Sequence, residues 1–311
     1  MEIAISAILT VVGLMMLCFG GNWLVNGGVA IARKFRISNL VIGMTIIAYG
    51  TSTPELAASV AAAGEHSAII LGNIVGSNIA NVGMVIGLAA ILVPLAVGKS
   101  ILKKEIPIML GVSILLVLLS IDGELSPYDG ILLLAGLGVF GYYTYKDAMK
   151  QREENQEEII PSTNNVYLKS AGLIGIGVIL LYVGAILTVD NAVILAKEFG
   201  LSETIIGLTV IAIGTSLPEL ITSVIAIRKG HTDIGVGNII GSNIYNILMI
   251  MGVGAALGGV VVGTDIYFDY AIMIVFSLSL LIAVKTEFIS RTIGVCLTIG
   301  YVAYLAVTFF K

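Results

Sequence analysis

Charge is what this sequence has least of. Only 12% of its 311 residues are Asp, Glu, Lys or Arg, where a soluble domain carries about a quarter. That shortfall excludes an ordinary cytosolic enzyme. Sixteen bases against twenty acids leave a net charge of −4 and no basic run, so nothing here could track a phosphate backbone and nucleic-acid binding is excluded. There are two histidines, His66 and His231, both expected in short solvated loops. Neither recurs beside the abundant serines and threonines, so no base stands ready to activate a nucleophile. Cys18 and Cys296, the only cysteines, fall inside apolar stretches and read as buried filler. No enzymatic activity, no cofactor and no obligatory protein partner is expected.

Apolar residues make up 58% of the chain, and the mean hydropathy is +1.05. These are the values of a polytopic membrane protein. No Asp, Glu, Lys or Arg lies between residues 3 and 32, 66 and 98, 170 and 189, 234 and 264, or 292 and 310. A span needs about 20 residues, and the pattern predicts ten helices near 4–30, 39–62, 68–94, 104–121, 128–147, 168–196, 203–227, 233–259, 267–284 and 291–310. The first is expected to be a span and not a signal peptide, because it lacks a basic leader and its apolar run is too long. Fourteen of the sixteen bases then fall on one side, Lys197 and Lys311 being the exceptions. By the positive-inside rule the protein sits in the cell membrane with both termini extracytoplasmic and the central loop cytoplasmic.

The chain also repeats itself. Residues 39–59, NLVIGMTIIAYGTSTPELAAS, return at 203–223 as ETIIGLTVIAIGTSLPELITS, with 12 of 21 positions identical. Residues 71–83, LGNIVGSNIANVG, return at 236–248 as VGNIIGSNIYNIL, with 8 of 13 identical. Each half holds five helices, an odd number, so the second enters from the opposite face. This predicts an all-α, inverted-topology repeat: a first half at 1–147, an acidic linker at 148–167 carrying Glu153, Glu154, Glu157 and Glu158, and a second half at 168–311.

Few ionisable groups remain at membrane depth: Glu55, Glu219 and, nearer a helix end, Asp190, which aligns with Asn26 and reads mainly as a structural contact. A carboxylate at mid-bilayer costs roughly 2.5–3.5 kcal/mol on insertion scales, and two matched placements require a cation or a proton. The neighbours are cation ligands too. Thr51, Ser52 and Pro54 precede or flank Glu55, as Thr215, Ser216 and Pro218 do Glu219. Each proline removes a backbone bond to the glycine four residues back, which predicts that the helices open at Ala48–Ser52 and Ala212–Ser216 into discontinuous segments. Freed carbonyls at that depth are tolerated only around a cavity or site. Ser77 with Asn81, and Ser242 with Asn246, add polar side chains at helical i, i+4 spacing, while Asn73, Asn78, Asn238 and Asn243 read as supporting or packing groups. Oxygen donors of these kinds suit sodium and calcium. Two carboxylates neutralise one Ca²⁺ or, with one charge left over, accompany three Na⁺.

At these motifs, GTSTPE with GNIVGSNIAN and GTSLPE with GNIIGSNIYN, the sequence resembles the calcium/cation antiporter superfamily and its Na⁺/Ca²⁺ exchanger branch. The resemblance covers essentially the whole chain. It implies alternating-access antiport, with Ca²⁺ and Na⁺ as substrates. Glu55 and Glu219 with the backbone of Thr51 and Thr215 would hold Ca²⁺. Ala48 and Ala212 carbonyls with Ser52, Ser77, Ser216 and Ser242 hydroxyls would complete the Na⁺ sites, and Asn81 and Asn246 would border the centre. Potassium-dependent relatives and some archaeal-type exchangers carry Asp at the position of Asn246, so the resemblance argues here for transport independent of K⁺. The nearest rival, a proton-driven calcium exchanger, resembles GNxxE in the second motif, where this chain has Gly76 and Gly241. A cation channel is the rival of a different class.

Overall fold

A backbone inside hydrocarbon has only its own amides for partners, so an open-ended segment crosses as helix. The computed structural model describes residues 2–62, 67–154, 165–198, 212–284 and 286–309. Its helices in order are α1 (Glu2–Phe35), α2 (Asn39–Thr51), α3 (Thr53–Ala62), α4 (Ser67–Ala80, continuing through Asn81–Ile86 and Gly87–Leu92) and α5 (Ile101–Glu105 into Ile106–Leu119). Then come α6 (Pro127–Glu154), α7 (Asn165–Glu198), α8 (Ala212–Thr215), α9 (Leu217–Arg228), α10 (Thr232–Tyr245, continuing through Asn246–Met251 and Gly252–Gly258), α11 (Ile266–Ser279 tightening into Leu280–Val284) and α12 (Arg291–Phe309). Six of them, α1, α4, α7, α10, α11 and α12, are long and apolar enough to cross a membrane.

Several helices outrun the sequence reading, the first reaching Phe35 where residue 30 is expected. The fifth expected span continues as helix to Glu154, and the sixth begins at Asn165. Lys146 to Glu154 are good helix formers with no glycine or proline among them; charge ends a membrane span, but it does not end a helix. Half of the acidic linker, residues 155–164, lies outside the described residues, as do His66 and residues 203–211 of the seventh expected span.

Among the described residues, four two-residue strands join the halves. Strand β1 (Leu95–Ala96) pairs antiparallel with β4 (Phe288–Ile289), and β2 (Glu124–Leu125) with β3 (Val260–Val261). Leu95 faces Ile289, and Leu125 faces Val260. Leu95 and Val260 stand 165 positions apart, Leu125 and Ile289 164, so the second ribbon is the first with its halves exchanged. The ribbons lie at opposite ends of α5. A Lys99–Glu287 ion pair at 3.3 Å closes the β1–β4 end.

Helices α4 and α10 are the centre. Both are almost wholly buried, and apolar except along the face that bears Asn73, Ser77, Asn78 and Asn81 on α4 and Asn238, Ser242, Asn243 and Asn246 on α10, the pattern of a helix surrounded by others. Around them lie α1, α7, α11 and α12, mostly exposed and apolar, which is the surface a bilayer covers. The long helices α1 and α7 pack on each other through small residues: a Cβ on Gly20 would stand 2.8 Å from the Gly177 carbonyl oxygen. Cys18 and Cys296 are exposed on outer helices and not buried. Lipid-facing and core positions are equally apolar, so composition could not tell the two apart.

Candidate ion-binding site

Pro54 and Pro218 set the geometry. Each lacks the N–H that would continue its helix. The backbone turns out of helical geometry at Ser52 (φ −83°, ψ 8°) between α2 and α3, and at Ser216 (φ −90°, ψ 5°) between α8 and α9. The break is narrower than expected. The Ala48 carbonyl is not open, since it accepts the Ser52 N–H at 3.0 Å and the Thr51 hydroxyl at 3.2 Å. In the second half the Ser216 N–H donates to the Ile213 carbonyl at 3.2 Å. A proline deletes one bond, and the adjacent residues re-pair around it.

The breaks place Glu55 and Glu219 in the first turns of α3 and α9, where unpaired N–H groups and the helix dipole favour negative charge. Both side chains are 1% exposed, and the two carboxyl groups are direct neighbours. Ser52 crosses from the first half to donate to Glu219 Oε1 at 3.2 Å, and Ser242 donates to the same oxygen at 3.3 Å. Thr51 donates to Asn238 Oδ1 at 3.0 Å, and its hydroxyl oxygen lies 3.4 Å from that of Ser242. Ser77, Ser216, Asn81 and Asn246 are buried as well, and Thr215 is half-buried at the end of α8.

Supporting amides repeat across the halves. Asn73 donates to Ser59 at 3.3 Å, and Asn238 to Ser223 at 2.9 Å. At the centre, Asn78 Nδ2 donates to the Asn243 carbonyl at 3.2 Å, and Asn243 Nδ2 to the Asn78 carbonyl at 3.3 Å. Asn81 donates to Asn243 Oδ1 and Asn246 to Asn78 Oδ1, both at 3.0 Å. Exchange the halves and every bond of this quartet maps onto another, so a local two-fold axis passes through it. Asn81 and Asn246 also begin the π-helical turns of α4 and α10, widened turns that are frequent at functional sites. The pairing of Asn78 with Asn243 and these two turns are what sequence reasoning missed; the repeat of NIAN as NIYN was their one signal.

Eight buried side-chain atoms among the described residues have no hydrogen-bond partner: Glu55 Oε2, Glu219 Oε2, Ser77 Oγ, Ser216 Oγ, Asn81 Oδ1, Asn246 Oδ1, Glu105 Oε2 and Thr222 Oγ1. The first six belong to the expected ion site. All are oxygens, and each unmet one costs about 1–3 kcal/mol, so the set lacks something electropositive. No cluster of three or more His, Cys, Asp or Glu occurs among the described residues. The donor set is carboxylate, hydroxyl and amide oxygen, which suits a hard cation.

The family model for sodium/calcium exchanger proteins matches residues 5–146 and 169–310. This chain is a member of the sodium/calcium exchanger family. It is 36% identical to the inner membrane protein YrbG of Escherichia coli over 98% of this chain and 97% of that one. It is 34% identical to the sodium/calcium exchanger MaX1 of Methanosarcina acetivorans over 99% of both. Among solved structures it superposes on the sodium-calcium exchanger NCX_Mj soaked with Na⁺ and Sr²⁺ with a TM-score of 0.86, at 34% identity over 98% of each chain. Sodium/calcium exchanger-family proteins are antiporters, and this exchanger is accordingly a predominantly helical, multi-pass membrane protein.

Proposed function

We propose that the protein exchanges Na⁺ for Ca²⁺ across the cell membrane by alternating access, electrogenically and without potassium. The observation that carries this reading is the buried Glu55–Glu219 pair among unpartnered oxygens. Two charges without a counter-ion are costly in a low-dielectric interior. One Ca²⁺ cancels them, and three Na⁺ over-cancel them by one charge. An empty site keeps its penalty and resists reorientation, which gives a physical reason for obligatory exchange. In this reading Glu55 and Glu219 with Thr51 and Thr215 hold Ca²⁺, while Ala48, Ala212, Ser52, Ser77, Ser216 and Ser242 take Na⁺. Asn81 and Asn246 border the centre as neutral groups, so no third charge is present to balance K⁺.

The architecture proposed with it is ten spans in two inverted halves, 1–147 and 168–311, with both termini extracytoplasmic and the linker cytoplasmic. Support comes from the two ribbons, which exchange halves at opposite ends of α5, and from the reciprocal asparagines. Calcium flux into proteoliposomes under imposed Na⁺, H⁺ and K⁺ gradients tests the coupling. Uptake should follow an outward Na⁺ gradient alone. Uptake that follows an H⁺ gradient instead supports a proton-driven exchanger on the same scaffold, and uptake that needs no opposing gradient supports a channel.

A further inference from the structure

Helix α1 carries no charged side chain between Glu2 and Arg33, yet it bears Asn22 and Asn26 one turn apart. Both offer their side-chain oxygens to one cation, the Lys229 ammonium just beyond α9; the bond to Asn26 is 2.7 Å and that to Asn22 is also short. An ammonium has three donors and no acceptor, so the groups it touches must be oxygens. An asparagine on an apolar helix needs no such partner. Asn191, on the other long outer helix, donates to the Leu187 carbonyl of its own turn at 2.9 Å. Asn22 and Asn26 instead form a two-oxygen cradle, and the amides leave the lysine charge uncancelled.

A second observation connects the cradle to the ion site. Thr222, one turn past Glu219 on α9, is fully buried and its hydroxyl has no partner. Helical hydroxyls elsewhere in the molecule, such as Thr45, Thr144 and Thr188, bond the carbonyl four residues back. Thr222 instead faces Gly21, where a Cβ would stand 3.0 Å from its hydroxyl oxygen. Glu219, Thr222 and Lys229 thus stand in that order along and just beyond α9, with Gly21 beside Thr222 and Asn22 and Asn26 beside Lys229 on α1. The matched positions in the other half carry Ala58 for Thr222, Ile186 for Asn22 and Asp190 for Asn26, so the threonine and the two amides do not recur as a set. Burial and the neighbouring Arg33 and Lys229 charges hold the His231 imidazole below its ordinary range, which marks this end of the seam as positive.

We propose that Asn22 and Asn26 form a station for a monovalent cation at one end of a path to Glu219, and that the Lys229 ammonium is its resident competitor. Two neutral amide oxygens and water suit Na⁺ but cannot offset the dehydration of a divalent ion. The inference rests on the exchange reading above. Its test is Na⁺-driven calcium flux in oriented proteoliposomes, with Na⁺ varied on one side at a time. Lys229→Gln should lower the half-saturating Na⁺ concentration by up to about fivefold, the range of an exposed charged contact, on the Lys229 side only. Lys229→Arg should restore the wild-type value, and Thr222→Val should slow exchange from that side. Asn26→Asp, which grips the ammonium more tightly, should raise the Na⁺ requirement, and it serves as the test if the glutamine variant fails to fold. An unchanged Na⁺ dependence in Lys229→Gln, or an equal shift on both sides, overturns the station. Wild-type protein without Na⁺-driven flux overturns the exchange reading instead; the station is then read by ²²Na⁺ binding, which must be greater in Lys229→Gln than in wild type.

Discussion

Replacing Glu219 by glutamine removes one charge and leaves the surroundings standing. The amide oxygen of glutamine still accepts from Ser52 and Ser242, which bond Glu219 Oε1 at 3.2 and 3.3 Å, and the volume is unchanged in a position 1% exposed. A calcium ion would then face Glu55 alone. Removing one partner of a buried charge pair costs about 3–5 kcal/mol, or roughly two to three and a half powers of ten in calcium affinity. The assay is calcium uptake by Na⁺-loaded proteoliposomes together with the thermal midpoint, with and without calcium. Uptake should fall below detection. The calcium-free midpoint should hold or rise, because two adjacent carboxyl groups no longer oppose each other, and the calcium-induced rise should vanish. Uptake within tenfold of wild type, with the calcium-induced rise intact, would refute the reasoning. Glu55→Gln should behave alike, since its carboxyl group is the other half of the pair.

Asn246→Asp removes the donor that bonds Asn78 Oδ1 at 3.0 Å and brings a third carboxyl group to the site, which must take up a proton or a further cation; flux should gain a dependence on pH or on an added monovalent ion, and a profile matching wild type would contradict this. Wild-type exchange should be unaffected by withdrawing K⁺ from both sides, and exchange that stops would count against Asn246 as a neutral border. Gly241→Ala would set a Cβ 2.7 Å from the Met44 carbonyl oxygen and 2.8 Å from Ala48 Cβ, forcing α10 off α2 beside the site; overpacking of this kind costs about 1–3 kcal/mol, so the thermal midpoint should drop by several degrees and flux with it, as a melt and an uptake assay would show. Moving one net charge per cycle is worth about 2.3 kcal/mol per 100 mV, so clamping the vesicle potential should change the flux, and a voltage-independent rate would rule out electrogenic exchange.

How much of this was legible in the sequence depends on what burial does to each residue type. Glu55 and Glu219 could be read because a carboxylate in an apolar run has few explanations, and because both recur in matched surroundings. Ser52, Ser77, Ser216 and Ser242 followed from their place beside those acids. Which asparagine meets which did not follow: period and spacing put Asn78 and Asn81 on one helix and Asn243 and Asn246 on another, but the register between helices is set by packing. The widened turns at Asn81 and Asn246 leave no mark on composition for the same reason. Pro54 and Pro218 predicted breaks at the right places but too wide, since the Ser52 N–H keeps the Ala48 carbonyl four residues back and the Ser216 N–H finds that of Ile213. The exposed Cys18 and Cys296 were misread because lipid and core select the same side chains. Asn22, Asn26 and Lys229 gave no sequence signal as a group, being 203 and 207 positions apart in their two pairings.

The central claim is that one divalent ion sits between Glu55 and Glu219. Anomalous diffraction from crystals soaked in Sr²⁺, a heavier stand-in for Ca²⁺, tests it most directly. The account predicts one strong peak within about 2.3–2.6 Å of a carboxylate oxygen from each residue, the range of calcium–oxygen contacts and slightly short for the larger ion, and its loss when Na⁺ replaces Sr²⁺ in the soak. A peak bound by neither carboxylate, or one at the partnerless oxygen of Glu105, would contradict it.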